Sequence, residues 1–237
     1  MTLTRLFSAI TLFLVMSISS TYASIQINTT RVIYHAAKKD VSVQVNNSGK
    51  YPVLLQSWTD DGHPEIKPDV MRTPFVLTPP LTRVNADTGQ TLRLSFIGPA
   101  LPSNRESVYW LNVLEIPPVD NKDKNLMQVA FRTRIKLFYR PKELDDKGAQ
   151  EAASQLHWHP QGNKITLTNP SPYYVSAVGI TATHAGKKSL VQADMIPPRS
   201  NADFSLPAGI IANSIDSVTV DAINDYGAVV TVPVARQ

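Results

Sequence analysis

The sequence predicts an all-β chain built as two sandwich domains in series. Apolar residues recur at alternate positions in short segments, and 18 prolines against 10 glycines punctuate those segments. A polar, alanine-rich stretch over Lys142–Gln155 divides the chain into two runs of predicted strands, as a linker does. Amphipathic helix patterns are nearly absent, apart from a turn expected within 145–155.

In the first run, Ser24–Ile33 alternates through Ile25 and Ile27 and carries Arg31 near its end. Val41, Val43 and Val45 alternate before the turn Asn46-Asn-Ser-Gly49. Val53–Trp58 closes at Asp60-Asp-Gly62, which reads as turn chemistry. Phe75–Leu77 leads into Thr78-Pro-Pro-Leu-Thr-Arg83, and Thr91–Phe96 puts Leu92, Leu94 and Phe96 on one face. Ser107–Ile116 ends at Pro117-Pro118, and the connection Val119–Asn125 leads to a long strand over Leu126–Arg140. That makes about seven strands, the number expected of an immunoglobulin-like sandwich.

The long strand is unusual. Met127, Val129, Phe131, Thr133 and Ile135 share one face, while Gln128, Ala130, Arg132, Arg134 and Lys136 share the other. An exposed apolar row on a sheet edge is an aggregation hazard, and neighbouring charges are a common defence. Alternation alone fits ordinary sandwich core equally well. The second run reads as strands at 156–159, 164–168, 173–183, 189–196, 202–206, 214–223 and 228–234.

The chain begins with a short segment containing Arg5, an apolar run from Leu6 to Ile18, and small residues up to Ala23. This is the layout of a cleavable secretory signal, cut after Ala23. The apolar run of 13 residues falls short of the roughly 20 that a spanning helix needs. The mature chain, Ser24–Gln237, keeps 22 basic and 19 acidic residues, a charge of +3. So mild a balance argues against a nucleic-acid partner, and no later stretch suits stable membrane insertion. The chain has no cysteine, so thiolate metal clusters are excluded and stability must come from core burial. The bacterial periplasm fits such an exported protein.

Catalytic signatures are missing. There is no phosphate loop, nucleophile elbow or His-Glu-x-x-His, so neither an enzyme nor a cofactor is expected. His157 and His159 share a strand face around Trp158 and would be the best metal pair, but no acidic cluster lies near them in sequence.

Several stretches carry a family resemblance: Asn28-Thr-Thr-Arg-Val-Ile33, Phe75-Val-Leu-Thr-Pro-Pro-Leu-Thr-Arg83, Leu101-Pro-Ser-Asn-Arg-Glu-Ser107, Tyr109-Trp-Leu-Asn-Val-Leu-Glu-Ile-Pro-Pro118, Ile135-Lys-Leu-Phe-Tyr-Arg-Pro141, Leu167-Thr-Asn-Pro-Ser-Pro-Tyr173 and Ile223-Asn-Asp-Tyr-Gly227. In this order they resemble the PapD-type periplasmic chaperones that assemble pili with an outer-membrane usher. The resemblance covers nearly the whole mature chain. It implies two immunoglobulin-like β-sandwich domains arranged at an angle with a cleft between them. The expected division is a signal peptide over 1–23, an N-terminal domain over 24–143, a linker over 144–155 and a C-terminal domain over 156–237.

The resemblance also assigns roles. Met127, Val129 and Phe131 match the alternating residues that complete a fimbrial subunit's open core by donor-strand complementation, a form of strand addition. Arg31 and Lys136 match the cations that hold the subunit's C-terminal carboxylate. Glu106, Arg140 and Asp225 match an interdomain salt-bridge network. The short connection Val119–Asn125 matches the short-loop subclass. Thr78-Pro-Pro-Leu81 resembles the apolar surface offered to the usher, although a turn packed on its own domain explains it equally well. The implied partners are pilus subunits and the usher, and self-association of the free protein stays open. The alternative from another class is a secreted β-sandwich module for adhesion or sugar binding.

Overall fold

The computed structural model describes residues 24–118 and 128–237. The first unit is a sandwich of two antiparallel-rich sheets. One contains β1 (Ile25–Ile27), β3 (Asp40–Asn47), β7 (Thr88–Phe96) and β5 (Phe75–Thr78), in that spatial order. The other contains β2 (Arg31–His35), β9 (Phe131–Arg140), β8 (Ser107–Ile116), β4 (Val53–Asp60) and β6 (Leu81–Val84). The alternating residues found in the sequence face each other between the sheets. Val43, Val45, Leu92 and Leu94 come from one sheet, and Leu55, Leu111, Val113 and Leu137 from the other. Interleaving of two inner faces is what defines a sandwich core.

Two details depart from the sequence reading. The segment expected as one strand over Ser24–Ile33 is two strands, β1 and β2, in different sheets. The crossing falls at Asn28–Thr30, where the Thr29 hydroxyl donates to the Arg31 carbonyl at 2.5 Å, a local bond that competes with ladder pairing. The Thr78–Arg83 region, read as an usher surface or a turn and not as a strand, leads into the short strand β6, paired with β4 from Val53↔Val84 to Gln56↔Leu81.

The second unit is a single seven-stranded sheet that curls over itself. Its strands are β10 (His157–Gln161), β11 (Lys164–Asn169), β12 (Ser176–His184), β13 (Lys187–Gln192), β14 (Ser200–Ser205), β15 (Ser217–Ile223) and β16 (Val229–Arg236), in the order β13-β12-β15-β16-β10-β11-β14. The parallel contact of β16 with β10, at His157↔Ala235 and Trp158↔Arg236, joins the two halves. Ile180 and Val220 from one half pack with Trp158, Ile165 and Leu167 from the other in one core.

Between the units the polar stretch is ordered. Helix α1 spans Asp146–Glu151, and a 3-10 turn follows over Ala152–Gln155. Asp145 caps the helix by accepting from the Gly148 amide at 2.7 Å, which satisfies one of the free N–H groups of the first turn. Ala152 and Ala153 bury into the second core, so the alanines serve packing as well as spacing.

Candidate functional site

Strand β9 is paired unequally on its two sides. On one side β8 accompanies it from Phe131↔Glu115 to Tyr139↔Ser107. On the other, parallel β2 begins only at Lys136, opposite Arg31, and continues to Arg140, opposite His35. Residues 131–135 therefore have a free edge among the described residues. The inward-facing row also runs off the end of the core: Leu137 is fully buried, Ile135 half-buried, and Phe131 is 54 % exposed. Val129, just before the strand, is 52 % exposed. Core packing thus accounts for the far half of the row and leaves Val129 and Phe131 uncovered. Met127 lies outside the described residues, as do the connection Val119–Asn125 and the segment ending at Ala23.

At the point where β2 begins, Arg31 and Lys136 lie side by side. Arg31 is buried, and its Nη1 donates to the Ile223 carbonyl at 2.9 Å and to Ser176 Oγ at 3.2 Å, both in the second unit. Its Nε is buried without a partner. Lys136 is half-buried with no salt bridge or hydrogen bond among the described residues. Burial pulls its ammonium below the ordinary value; Asp194 opposes this and Arg31 adds to it. Burial likewise lowers Arg31, with Asp225 opposing. A carboxylate placed between these two desolvated cations would relieve their repulsion and supply acceptors for their free donors.

Arg140, at the other end of β9, joins the units. It is 1 % exposed. Its Nε donates to Glu106 Oε1 at 2.9 Å, its Nη2 lies 2.8 Å from Asp225 Oδ2, and its Nη1 donates to Asp146 Oδ1 at 2.5 Å. The guanidinium also sits over the Tyr173 ring, 5.6 Å from its centroid. Glu106 accepts from the Tyr174 amide at 2.9 Å with its other oxygen. Burial raises the Glu106 carboxyl above its ordinary value, against the pull of Arg140 and the Tyr174 amide. The three residues named from the sequence therefore meet at one guanidinium. Nearby, Gly227 has φ +85°, and a Cβ there would stand 2.5 Å from Thr30 Oγ1 of the first unit. Only glycine suits that left-handed, close approach.

Sequence reading missed three sets of residues. Asp146, placed within a linker, is the third carboxylate on Arg140. Ser176 and the Ile223 carbonyl hold Arg31. Asp60, read as turn chemistry, does accept from the Gly62 amide at 2.8 Å, but it also pairs with Arg134. For Asp60 the 74 positions to Arg134 hid the pairing; Asp146 is only 6 positions from Arg140 and was passed over because that stretch read as a linker. Pro80 and Leu81 are exposed and the Pro80 carbonyl accepts from the Ser57 amide at 2.8 Å.

Comparison with known proteins places these features in a family. Residues 24–145 match the model described as pili and flagellar-assembly chaperone, PapD N-terminal domain. Residues 151–233 match pili assembly chaperone PapD, C-terminal domain. The chain is 38 % identical to the chaperone protein MrkB of Klebsiella pneumoniae over 216 residues, 89 % of this chain and 91 % of that one. It is 40 % identical to the probable fimbrial chaperone YadV of Escherichia coli over 223 residues, 90 % and 89 % of the two chains. The crystal structure of the YadV chaperone superimposes with a TM-score of 0.76 over 88 % of this chain and 98 % of that one, at 41 % identity. A Salmonella enterica SafA pilin complex with the SafB chaperone superimposes with a TM-score of 0.76 at 25 % identity, covering 92 % of this chain and 98 % of the other. With both domain models matched in order along nearly the whole described chain, this protein belongs to the PapD family of pilus-assembly chaperones.

Proposed function

We propose that this pilus-assembly chaperone captures fimbrial subunits by lending them the free edge of β9, and passes them to an outer-membrane usher. The observation that carries the reading is the edge at 131–135, unpaired among the described residues, with exposed Val129 just before it, exposed Phe131 at its start and the Arg31–Lys136 pair at its end. Backbone pairing along the edge supplies general affinity, and alternate side chains fill pockets in the partner. A slip of one residue would turn every side chain to the wrong face. The cation pair fixes the register by holding the subunit's terminal carboxylate.

Each apolar side chain buried in the partner contributes about 1.5–3 kcal/mol. Association costs on the order of 4–15 kcal/mol, so Met127, Val129 and Phe131 need the backbone pairing and the anchor beside them. Glu106, Arg140 and Asp225 set the angle between the domains, which places the cleft wall behind the anchor. The domains divide at 24–143 and 156–237, with 144–155 as an ordered connector. Nothing in this cycle turns over a substrate; subunit folding and strand exchange drive it. Pro79-Pro80-Leu81 is the candidate usher surface.

The protein acts in the periplasm after removal of 1–23. Co-expression with the secreted fimbrial subunits of the same organism, followed by purification from the periplasm, tests the reading. A subunit should co-elute in a one-to-one complex with a chain starting at Ser24. Purification of the chaperone alone, with every subunit degraded or aggregated, would contradict it.

A further inference from the structure

The face of β9 opposite the lent row is tied across two strands to a single buried carboxylate. Asp60, on β4, is 0 % exposed. Arg134 Nε donates to its Oδ2 at 2.8 Å, and Arg134 Nη2 lies 2.5 Å from its Oδ1. Asn112, on the intervening β8, donates to Asp60 Oδ2 at 2.7 Å and accepts from Arg132 Nε at 2.8 Å. Arg132 Nη2 stands 3.6 Å from the same carboxylate. Each guanidinium also lies on an indole: Arg132 over Trp58 at 4.9 Å and Arg134 over Trp110 at 4.5 Å.

This is a heavy investment for the solvent side of an edge strand. Surface arginines on such strands need only repel other edges, which takes charge and no partner. Here both are engaged, and they belong to the five residues that lack a neighbour on the β2 side among the described residues. Side chains alternate across a strand, so anchoring 132 and 134 outward fixes 131, 133 and 135 inward. A strand already held extended and in one register loses little freedom when it pairs with a partner.

We propose that Asp60 is a positioning residue for strand lending: through Arg134 and Arg132 it presets β9 for capture of a subunit, without touching the subunit itself. The proposal rests on the strand-lending reading above, and the same experiment separates the two.

The test compares wild type with Asp60→Asn, and with Arg134→Lys, which keeps the charge but loses the two-point contact and the indole stacking. Amide hydrogen exchange is followed over 131–135 and over 107–110 in the free chain. The rate of capture is measured with the subunit recovered in the periplasmic co-purification. In Asp60→Asn, exchange over 131–135 should rise and capture should slow, each by about tenfold, with 107–110, paired to 136–139, unchanged. Arg134→Lys should fall between, and it carries the test if Asp60→Asn fails to fold. Wild-type exchange at 131–135, or a wild-type capture rate, in a folded variant would overturn the positioning role. Lys136→Ala serves as the control: it should lose capture while exchange over 131–135 stays slow. If Lys136→Ala and Phe131→Ser both capture normally, strand lending itself fails. If those two lose capture and Asp60→Asn does not, only the positioning role fails.

Discussion

Arg31 and Lys136 stand directly opposite each other in the parallel pairing of β2 with β9, and neither has a carboxylate within salt-bridge distance among the described residues. Adjacent strands run about 4.8 Å apart, so two positive side chains are held together at the spot where the free edge of β9 begins. They differ in one respect. Arg31 is also bonded to the second domain, through Ile223 and Ser176. Lys136 has no such duty.

Lys136→Ala is therefore the cleaner probe of the anchor. Removing one partner from a buried ion pair costs about 3–5 kcal/mol, so subunit affinity should fall by two orders of magnitude or more, roughly, at unchanged thermal stability. Arg31→Ala should lose capture as well, and should also lower the unfolding temperature, because two interdomain hydrogen bonds go with it. Calorimetry of the free variants, with a pull-down of the subunit, checks both outcomes. Normal capture by Lys136→Ala removes the anchor from the account.

Val129 and Phe131 are more than half exposed in the free chain. Their replacement by Ser should leave stability within about 0.5 kcal/mol, as for other surface positions. Subunit affinity should fall by about 1.5–3 kcal/mol for each side chain that enters the groove. Titration of the refolding subunit with each variant measures this directly. Equal affinity would mean that the row is not lent.

Arg140 and Asp225 should separate by burial. Arg140→Met leaves Glu106 in the interface with, among the described residues, only the Tyr174 amide bonded to its carboxylate, at a cost of about 3–5 kcal/mol. Asp225 has a side chain 24 % exposed, so Asp225→Asn should cost about 1 kcal/mol or less. Urea unfolding gives both values. Small-angle scattering should show a wider spread of domain angles for Arg140→Met. Equal losses would argue that the network is not centred on Arg140.

Asp60 makes a pH prediction. Burial pushes its carboxyl up, but the bonds from Arg134, Asn112 and the Gly62 amide outweigh this and hold it below the ordinary 3.8. Because the folded value lies below the unfolded one, the associated stability is fully present above about pH 3.8 and is lost as pH falls through the folded value. The stability difference between wild type and Asp60→Asn should be constant at neutral and mildly acid pH and shrink only below that window. A difference that shrinks from pH 6 downward would contradict the pairing.

Much of this was legible in the residues. Alternation at Val43–Val45 and Leu92–Leu94 marked two neighbouring strands of one sheet of the first domain, because a half-buried strand must repeat every second residue. The motifs around Arg31, Glu106, Lys136, Arg140 and Asp225 named the residues that the fold gathers into two clusters. Pairings distant in sequence were hidden. Asp60 and Arg134 are 74 positions apart, and no periodicity links them. The break between β1 and β2 was hidden for another reason: Asn28–Thr30 keeps an extended pattern while the chain changes sheets, and only a partner strand reveals that. Alternation also could not tell a lent row from a core row. The rise in exposure from Leu137 to Phe131 along one face shows where core packing of that row stops.

The most direct test of strand lending is the structure of the chaperone bound to the subunit it co-purifies with. The account predicts a subunit strand paired to β9 along 131–135, with Val129 and Phe131 buried in the subunit. The subunit's terminal carboxylate should lie within hydrogen-bond reach of Arg31 and Lys136. A subunit seated elsewhere, with that edge still open and the two cations still unpaired, would contradict it.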